Sequence, residues 1–302
     1  MQFDVIHRKV SIDMSISISY DGSRAALFHP AGRPTVFGRD IPDAGRIAAV
    51  CAESSRLAYL RFEDPGDSSL KILLGDALAK VGISSLACFS DDSSSTEAFA
   101  AVLPKSAGTL IAFRGTEPDE AADIAIDLGA VLEPWGQGGR VHAGFAHSFS
   151  RIRAQIERWM SGHPVGDGAL VVTGHSLGAA LATLAAGAWR ADRLVTFGSP
   201  RVGDQDFVAL LPSVAIERYV NCCDIVTRVP PKLPGLFVDT APAFYISSAG
   251  RIVGTSWSEQ QIDTDRSSAR ERYLLEQAWV RGNVVVRDLA DHAPINYVRA
   301  FI

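Results

Sequence analysis

The chain has 302 residues, of which 47% are hydrophobic and 21% are charged, and its formal net charge at pH 7 is −5. This length and composition are typical of a globular protein with a large buried core, and we expect a single domain over residues 1–302. The basic residues form no block or face, which argues against nucleic-acid binding. No apolar run approaches the roughly 20 residues that a transmembrane helix needs, so we expect no transmembrane segment.

The first residues lack the pattern of an export signal. Polar and apolar residues alternate, and Asp4 and Asp13 interrupt them, so no basic region is followed by an apolar one. This pattern predicts a cytoplasmic protein or one exported by a leaderless route.

The cysteines have neither the spacing of a zinc or redox motif nor the density of a disulfide scaffold. We expect four free thiols, at Cys51, Cys88, Cys222 and Cys223. No metal site and no cofactor follow from this pattern.

Helices and strands are both predicted within residues 1–100. The stretch SISISY, residues 15–20, has the period of a strand. Apolar residues then recur at helical spacing over residues 43–59 and 68–82, with a polar loop between them.

Short apolar runs separated by Ser, Asp, Pro and Gly predict strands from residue 84 onward. Three later runs, ALVVTGH, RLVTFGSP and IERYVN, follow the same pattern, and helical stretches precede the first two. Apolar strands that alternate with helices predict an α/β fold with a mostly parallel central sheet and helices on both faces. Beyond residue 234, AFYISSAGRIVG predicts a hairpin that turns at Ala249 and Gly250, and a charged helix is expected from about Ser267.

The pentapeptide GHSLG places Ser176 between two glycines, after an apolar strand and before an alanine-rich helix. A nucleophile elbow needs this order, because its serine stands on a sharp turn that joins a strand to a helix. Glycine suits Gly174 and Gly178, since the chain before and after the serine passes too closely for a Cβ atom. The sequence therefore predicts Ser176 as a nucleophile, with an ordinary tight turn as the alternative.

An activated serine needs a general base and a carboxylate that orients this base, and on such sheets they follow in the order Ser, acid, His. The one histidine after Ser176 is His292. Asp224 follows a predicted strand, where ligand sites collect. Three other aspartates compete for the same role: Asp204, Asp206 and Asp239, of which Asp239 is the reserve choice. Histidines that precede the acid in the chain, including His175, are expected to pack in the core or to support the site residues.

With these residues in place, the sequence resembles the class 3 lipase family, the filamentous-fungal type of α/β-hydrolase lipase. The resemblance runs over residues 109–297, taken as the catalytic core. The matching pieces include LIAFRGT (110–116), VHAGFAHSF (141–149), VTGHSLGAALATLAA (172–186), LVTFGSPRVGDQDF (194–207), RYVNCCDIVTRVPP (218–231) and DHAPINY (291–297).

The resemblance implies an α/β-hydrolase fold with a helical lid and assigns roles to residues. Ser176 is then the nucleophile, Asp224 the orienting acid and His292 the base and later the acid. An oxyanion hole comes from the backbone N–H groups of Thr116 and Leu177, and the Thr116 hydroxyl can add a third donor.

Two segments differ from the family pattern. Residues 117–135 are the candidate lid, but Ile124 stands where the family commonly has Trp, which weakens the expectation of strong interfacial activation and of a preference for long acyl chains. Residues 251–290 form an insertion longer than the family leads us to expect, and the sequence assigns it no role.

The predicted function is a carboxylic ester hydrolase, a triacylglycerol lipase that forms an acyl-enzyme and needs no metal or cofactor. Its partners would be a lipid or small ester substrate and, transiently, a lipid interface. A phospholipase of the A type or a short-chain esterase on the same triad is one alternative. A catalytically silent lipid-binding module is another.

Overall fold

The computed structural model describes residues 18–62, 68–91, 93–115, 131–163, 168–233 and 235–302. Within these ranges the strands are β1 Ser84–Asp91, β2 Thr96–Leu103, β3 Gly108–Phe113, β4 Leu132–Pro134, β5 Arg140–His142, β6 Ala169–His175, β7 Arg193–Phe197, β8 Ala215–Asn221, β9 Ala243–Ile246 and β10 Ile252–Gly254. The α-helices there are α1 Arg24–Phe28, α2 Ile47–Leu57, α3 Ser68–Ala79, α4 Ala143–Gly162, α5 Leu177–Trp189, α6 Gln205–Val208, α7 Glu259–Glu276, α8 Arg287–Ala290 and α9 Pro294–Val298.

Eight strands form one central sheet in the order β1-β2-β3-β6-β7-β8-β9-β10. The five strands from β3 to β9 in this order are parallel, whereas β1, β2 and β10 pair antiparallel at the two ends. The predicted α/β fold with a mostly parallel sheet is confirmed. Strands β4 and β5 form a separate small sheet.

Apolar side chains cover both faces of the sheet, because successive residues of a strand point to opposite faces. In β6, Val171 packs in a core with residues of α2, α3 and α9, whereas Leu170 and Val172 pack in a second core with residues of α4 and α5. Burial on both faces explains the near-continuous apolar sequence of this strand. It also fixes the position of the residues that follow β6 at the edge of the sheet.

The hairpin predicted around Ala249 and Gly250 is present as β9 and β10, and Gly250 takes the positive φ of 80° that the turn requires. The predicted helix start at Ser267 is wrong, because α7 begins at Glu259. Ser258 caps the helix by accepting from the Gln261 N–H, while the Gln261 side chain accepts from the Ser258 N–H. This capping box is the local signal that marks the start of the helix.

Some predicted elements fall on residues that lie outside the described ranges. In the stretch SISISY, residues 15–17 lie outside these ranges, and residues 18–20 are not part of a strand. Most of the candidate lid, residues 117–130, also lies outside them, whereas the end of the candidate lid forms the short strand β4. Among the described helices, none is both long enough and apolar enough to cross a bilayer.

Candidate active site

Ser176 occupies the turn between β6 and α5, in a strained backbone conformation. Its φ of 58° and ψ of −130° lie in a region that residues with a side chain rarely adopt. The Ser176 N–H donates to the carbonyl oxygen of Phe197 at 3.0 Å, which holds the turn against the end of β7. Helix α5 starts at the next residue, and the N–H groups of Ala179 and Ala180 in its first turn donate to the Ser176 carbonyl oxygen, at 2.9 and 3.3 Å.

The two glycines of the elbow are required by close backbone contacts. A Cβ atom on Gly174 would lie 2.2 Å from the carbonyl oxygen of Gly178, and one on Gly178 would lie 2.2 Å from that of Phe113. No side chain fits at either position. The geometric reason for these glycines that the sequence suggested is therefore present in the structure.

Three side chains far apart in the sequence form a continuous hydrogen-bonded chain. The Ser176 Oγ lies 2.9 Å from His292 Nε2, and His292 Nδ1 lies 2.9 Å from Asp224 Oδ2. A carboxylate only accepts, so Nδ1 of a neutral imidazole carries the hydrogen and Nε2 offers its lone pair to the serine hydroxyl. All three residues are buried. This arrangement allows proton transfer from Ser176 to His292, with the resulting imidazolium stabilised by Asp224.

Asp224 is held by further donors that the sequence analysis did not identify. The Tyr297 hydroxyl donates to Asp224 Oδ2 at 2.5 Å, and the Val226 N–H donates to Oδ1 at 2.9 Å. Burial, together with the nearby Asp224 carboxylate, raises the pKa of Tyr297 well above its ordinary value of 10, so the hydroxyl keeps its proton. These donors fix the carboxylate in one orientation towards His292.

Gly198 leaves the space in which the side chains of Asp224 and His292 meet. It follows β7 directly, with a φ of 60°. A Cβ atom at this position would lie 2.9 Å from Asp224 Oδ2 and 3.0 Å from both Cε1 and Nδ1 of His292. This role has no signal in the sequence, because a glycine after a strand is typical of an ordinary turn.

His175 supports the backbone of His292. Its Nε2 lies 2.7 Å from the carbonyl oxygen of His292, and its Nδ1 lies 2.8 Å from the Tyr59 hydroxyl. Burial, together with the neighbouring His292, lowers the pKa of His175 well below its ordinary value of 6.5. The ring is therefore neutral, in agreement with the expectation that His175 supports the site and is not its base.

A second carboxylate joins the segments that carry Asp224 and His292. Asp291 Oδ2 accepts from the Cys223 N–H at 2.9 Å, and Arg287 Nε lies 3.1 Å from the same oxygen. Asp291 precedes His292 in the chain, and Cys223 precedes Asp224. This bond therefore ties the backbones on either side of the Asp224–His292 contact.

The other predicted site residues differ in how the structure places them. Leu177 is the first residue of α5, directly after Ser176, whereas Thr116 lies outside the described residues. Asp239 forms ion pairs with Arg201 and Arg218, and the hydrogen bond to His292 Nδ1 comes from Asp224.

One group of described residues offers several metal-ligating atoms. The thiols of Cys222 and Cys223 and the carboxylate of Asp291 have ligand atoms within 4.8 Å of one another. Asp291 is already paired with Arg287, whose positive charge disfavours a cation at this place. The four cysteines all lie among the described residues and form no disulfide, as expected.

A cavity of about 830 Å³ lies close to the elbow. Tyr59 lines it together with apolar side chains that include Phe28, Leu60, Leu70 and Leu73. A Cβ atom on Gly115 would lie 2.1 Å from the Tyr59 hydroxyl and 3.1 Å from Ser176 Cβ, which places Tyr59 next to the serine. The volume is in the range of pockets that hold small organic ligands.

The family model for lipase (class 3) matches residues 110–233, which include Ser176 and Asp224. Over this stretch the chain is similar to the class 3 lipase family. His292 lies beyond the end of the matched class 3 lipase region, and the fold brings it to Ser176.

Relatives of the matched region are named for different lipid substrates. The secreted mono- and diacylglycerol lipase 1 of Fusarium solani is 36% identical over 117 residues, covering 36% of this chain and 35% of that protein. Phospholipase A1-II 4 of Oryza sativa subsp. japonica is 32% identical over 184 residues, covering 47% of this chain and 46% of that protein. The chain therefore matches less than half of the length of each of these relatives.

Solved lipase structures share the fold. Lipase II from Rhizopus niveus superimposes with a TM-score of 0.52 at 26% identity, covering 66% of this chain and 77% of the other. The α/β-hydrolase fold implied by the resemblance is thus confirmed.

Proposed function

We propose that this chain is a serine carboxylic ester hydrolase and that acylglycerols are its substrates. The observation that carries the proposal is the Ser176–His292–Asp224 chain, with both contacts at 2.9 Å. The names of several relatives support lipid esters as the substrate class. A module that only binds lipid would have no need for a serine, an imidazole and a carboxylate in this order.

In the proposed reaction, Ser176 Oγ attacks the ester carbonyl carbon while His292 Nε2 takes the hydroxyl proton. The tetrahedral intermediate collapses as His292 returns this proton to the leaving alcohol, and an acyl-serine remains. Water, deprotonated by His292, then releases the carboxylic acid and restores the Ser176 hydroxyl. Asp224 keeps its charge throughout and stabilises the imidazolium that forms twice in each cycle.

The oxyanion of the intermediate needs fixed donors in a dry site. The proposal assigns this role to the backbone N–H of Leu177, at the N-terminus of α5, and to Thr116. Each such donor lowers the barrier by about 2.7 to 4 kcal/mol in measured cases. The positive end of the α5 dipole favours negative charge at the same place. Residues 117–135 remain the candidate lid in this proposal.

A phospholipase of the A type on the same triad is the second candidate function. The similarity to phospholipase A1-II 4 supports it directly, because the matched stretch in that relative is longer than the one in the diacylglycerol lipase. Both reactions use the same attack by Ser176 on an ester carbonyl. They differ in the group attached to the glycerol and not in the chemistry at the serine.

Hydrolysis of a panel of esters by the wild type and Ser176→Ala tests the proposal. The panel comprises p-nitrophenyl esters from acetate to palmitate, emulsified acylglycerols and phosphatidylcholine. We expect hydrolysis by the wild type and none above background by Ser176→Ala. Faster turnover of phosphatidylcholine than of acylglycerol would favour the phospholipase, and a maximum at the short acyl chains would favour an esterase. No hydrolysis of any ester would leave the silent lipid-binding module as the answer.

A further inference from the structure

Exposed large hydrophobic side chains are concentrated in one short segment. Of the twelve such side chains found among the described residues, six lie within residues 274–286. These six are Leu274, Leu275, Trp279, Val280, Val285 and Val286. Trp279 is 81% exposed and Leu275 is 74% exposed, although burial of such side chains is strongly favourable. Single exposed hydrophobic residues are common, but a cluster of them marks an interaction surface.

Helix α7 carries this segment beyond the edge of the sheet at which Ser176 lies. Asp265 accepts hydrogen bonds from the N–H and hydroxyl groups of Ser248, just after β9. Arg266 Nε donates to the carbonyl oxygen of Cys222, just after β8. The middle of helix α7 therefore lies beside the carboxyl ends of β8 and β9.

Earlier in α7, Ile262 lines a cleft together with Arg218 of β8 and Ala243 of β9. Both strand residues precede the positions that bond to Asp265 and Arg266, so the helix runs in the same direction as β8 and β9. From Asp265 to Leu275 an α-helix rises about 15 Å. The chain then turns back through α8 to His292. Residues 274–286 thus project beyond the carboxyl ends of the strands, which is also where the Ser176–His292–Asp224 chain lies.

The charges of the segment point to an uncharged partner. Within residues 274–286 the charged residues are one acid and one base, Glu276 and Arg281, so the segment has no net charge. An anionic membrane surface attracts clusters of Lys and Arg, which this segment lacks. Tryptophan and aliphatic side chains instead suit the boundary between water and a neutral apolar phase.

We propose that residues 274–286 dock on the surface of neutral acylglycerol lipid and hold the Ser176 site against it. This inference rests on the proposed function, from which the lipid comes. It gives a role to the insertion at residues 251–290, because α7 is the element that lifts the apolar segment off the sheet. The contact is apolar and therefore insensitive to salt.

Flotation of the protein with triolein droplets coated with phosphatidylcholine tests this docking. All proteins carry Ser176→Ala, so that no anionic fatty acid accumulates and binding is measured apart from hydrolysis. The test variant adds Leu275→Ser and Trp279→Ser. The control adds Ile72→Ser instead, a residue of α3 that is 62% exposed and lies outside residues 274–286. Circular dichroism and thermal unfolding establish that each variant is folded.

We expect the parent and the Ile72→Ser control to float with the droplets at low and high salt. The double variant should partition to them at least about tenfold more weakly, given the apolar area removed. Equal flotation of the double variant and the parent would overturn the proposal, as would an equal loss in the control. Binding of the parent only to droplets coated with anionic phospholipid would overturn it too.

Sedimentation that shows a dimer in the parent and a monomer in the double variant would assign the surface to a second copy of the chain. Ester hydrolysis by the Ser176 protein is measured separately, so failure of docking and failure of the proposed function are distinguishable.

Discussion

The Nε2–H of His175 donates to the backbone carbonyl oxygen of His292, at an Nε2–O distance of 2.7 Å. A carbonyl oxygen has no hydrogen to give, so this contact fixes the tautomer of the neutral His175 ring. Its Nδ1 must then accept from the Tyr59 hydroxyl. The chain from Tyr59 through His175 thus holds the backbone of the residue that contacts Ser176, without taking part in proton transfer itself.

Replacing Tyr59 by Phe should therefore lower kcat through His292 and leave the reacting groups in place. Loss of one buried hydrogen bond costs about 1 kcal/mol, so we expect a decrease in kcat of up to about tenfold. KM for a soluble ester should change little if Tyr59 acts only through His175. Steady-state kinetics with p-nitrophenyl butyrate measure both constants. A large rise in KM with unchanged kcat would show that Tyr59 contacts the substrate instead.

The lowered pKa of His175 predicts how stability depends on pH. In the unfolded chain this imidazole takes up a proton below its ordinary pKa of about 6.5, but in the folded protein it stays neutral to a much lower pH. The unfolding free energy should therefore decrease as the pH falls below about 6.5, by up to about 1.4 kcal/mol per pH unit from this group. Above that pH the His175 ring is neutral in both the folded and the unfolded chain, so this loss of stability is absent.

Urea unfolding at about pH 7.5 and about pH 5.5, for the wild type and His175→Gln, isolates this contribution. The wild type should lose more stability between the two conditions than the variant does. An equal loss in both proteins would mean that His175 is protonated in the folded state.

Replacing Gly198 by Ala should disrupt the contact between the acid and the base. The methyl group would press on Asp224 Oδ2 and on the His292 ring, and the positive φ adds strain. We expect kcat to fall at least about 100-fold, towards the loss of about 10⁴-fold that follows when the orienting acid of a triad is disabled. Gly235→Ala is the control, because Gly235 has a φ of 72° but no atom within 4 Å of the added Cβ. Similar kinetics for the two variants would contradict the role given to Gly198.

The ion pair between Arg287 and Asp291 should be strongly coupled in stability. Both side chains are buried, so Asp291→Asn leaves the Arg287 charge uncompensated at a cost of about 3 to 5 kcal/mol. Changing Arg287→Gln in the same protein removes that charge and should restore part of the stability. A double-mutant cycle by urea unfolding measures the coupling. Additive effects of the two changes would show that the pair does not act as a unit.

The sequence predicted the parts of the site that follow local rules. Gly174 and Gly178 marked the turn at Ser176, because only glycine allows the close backbone contacts seen there. The bounds of β6 match the predicted run, since a strand buried on both faces is apolar throughout. His292 stood out because it is the one histidine after Ser176 in the chain.

Other parts could not be predicted, because they depend on contacts between distant residues. Tyr59 and Tyr297 look like ordinary core aromatic residues in the sequence, and their hydroxyl groups gain partners only when the sheet and helices assemble. Gly198 resembled any turn glycine until Asp224 and His292 converged on it. The start of α7 was missed because polar residues precede its apolar face, whereas its Ser258 cap is a local signal that could have been used.

Labelling with a fluorophosphonate, followed by peptide mass spectrometry, tests the central claim most directly. The phosphorus reagent forms a stable adduct only with a serine whose hydroxyl is activated by a neighbouring base. We expect a single adduct on Ser176 in the wild type and a rate of labelling at least about 100-fold lower in His292→Ala and in Asp224→Ala. Absence of an adduct on Ser176, or labelling that is equally fast without His292, would contradict the triad.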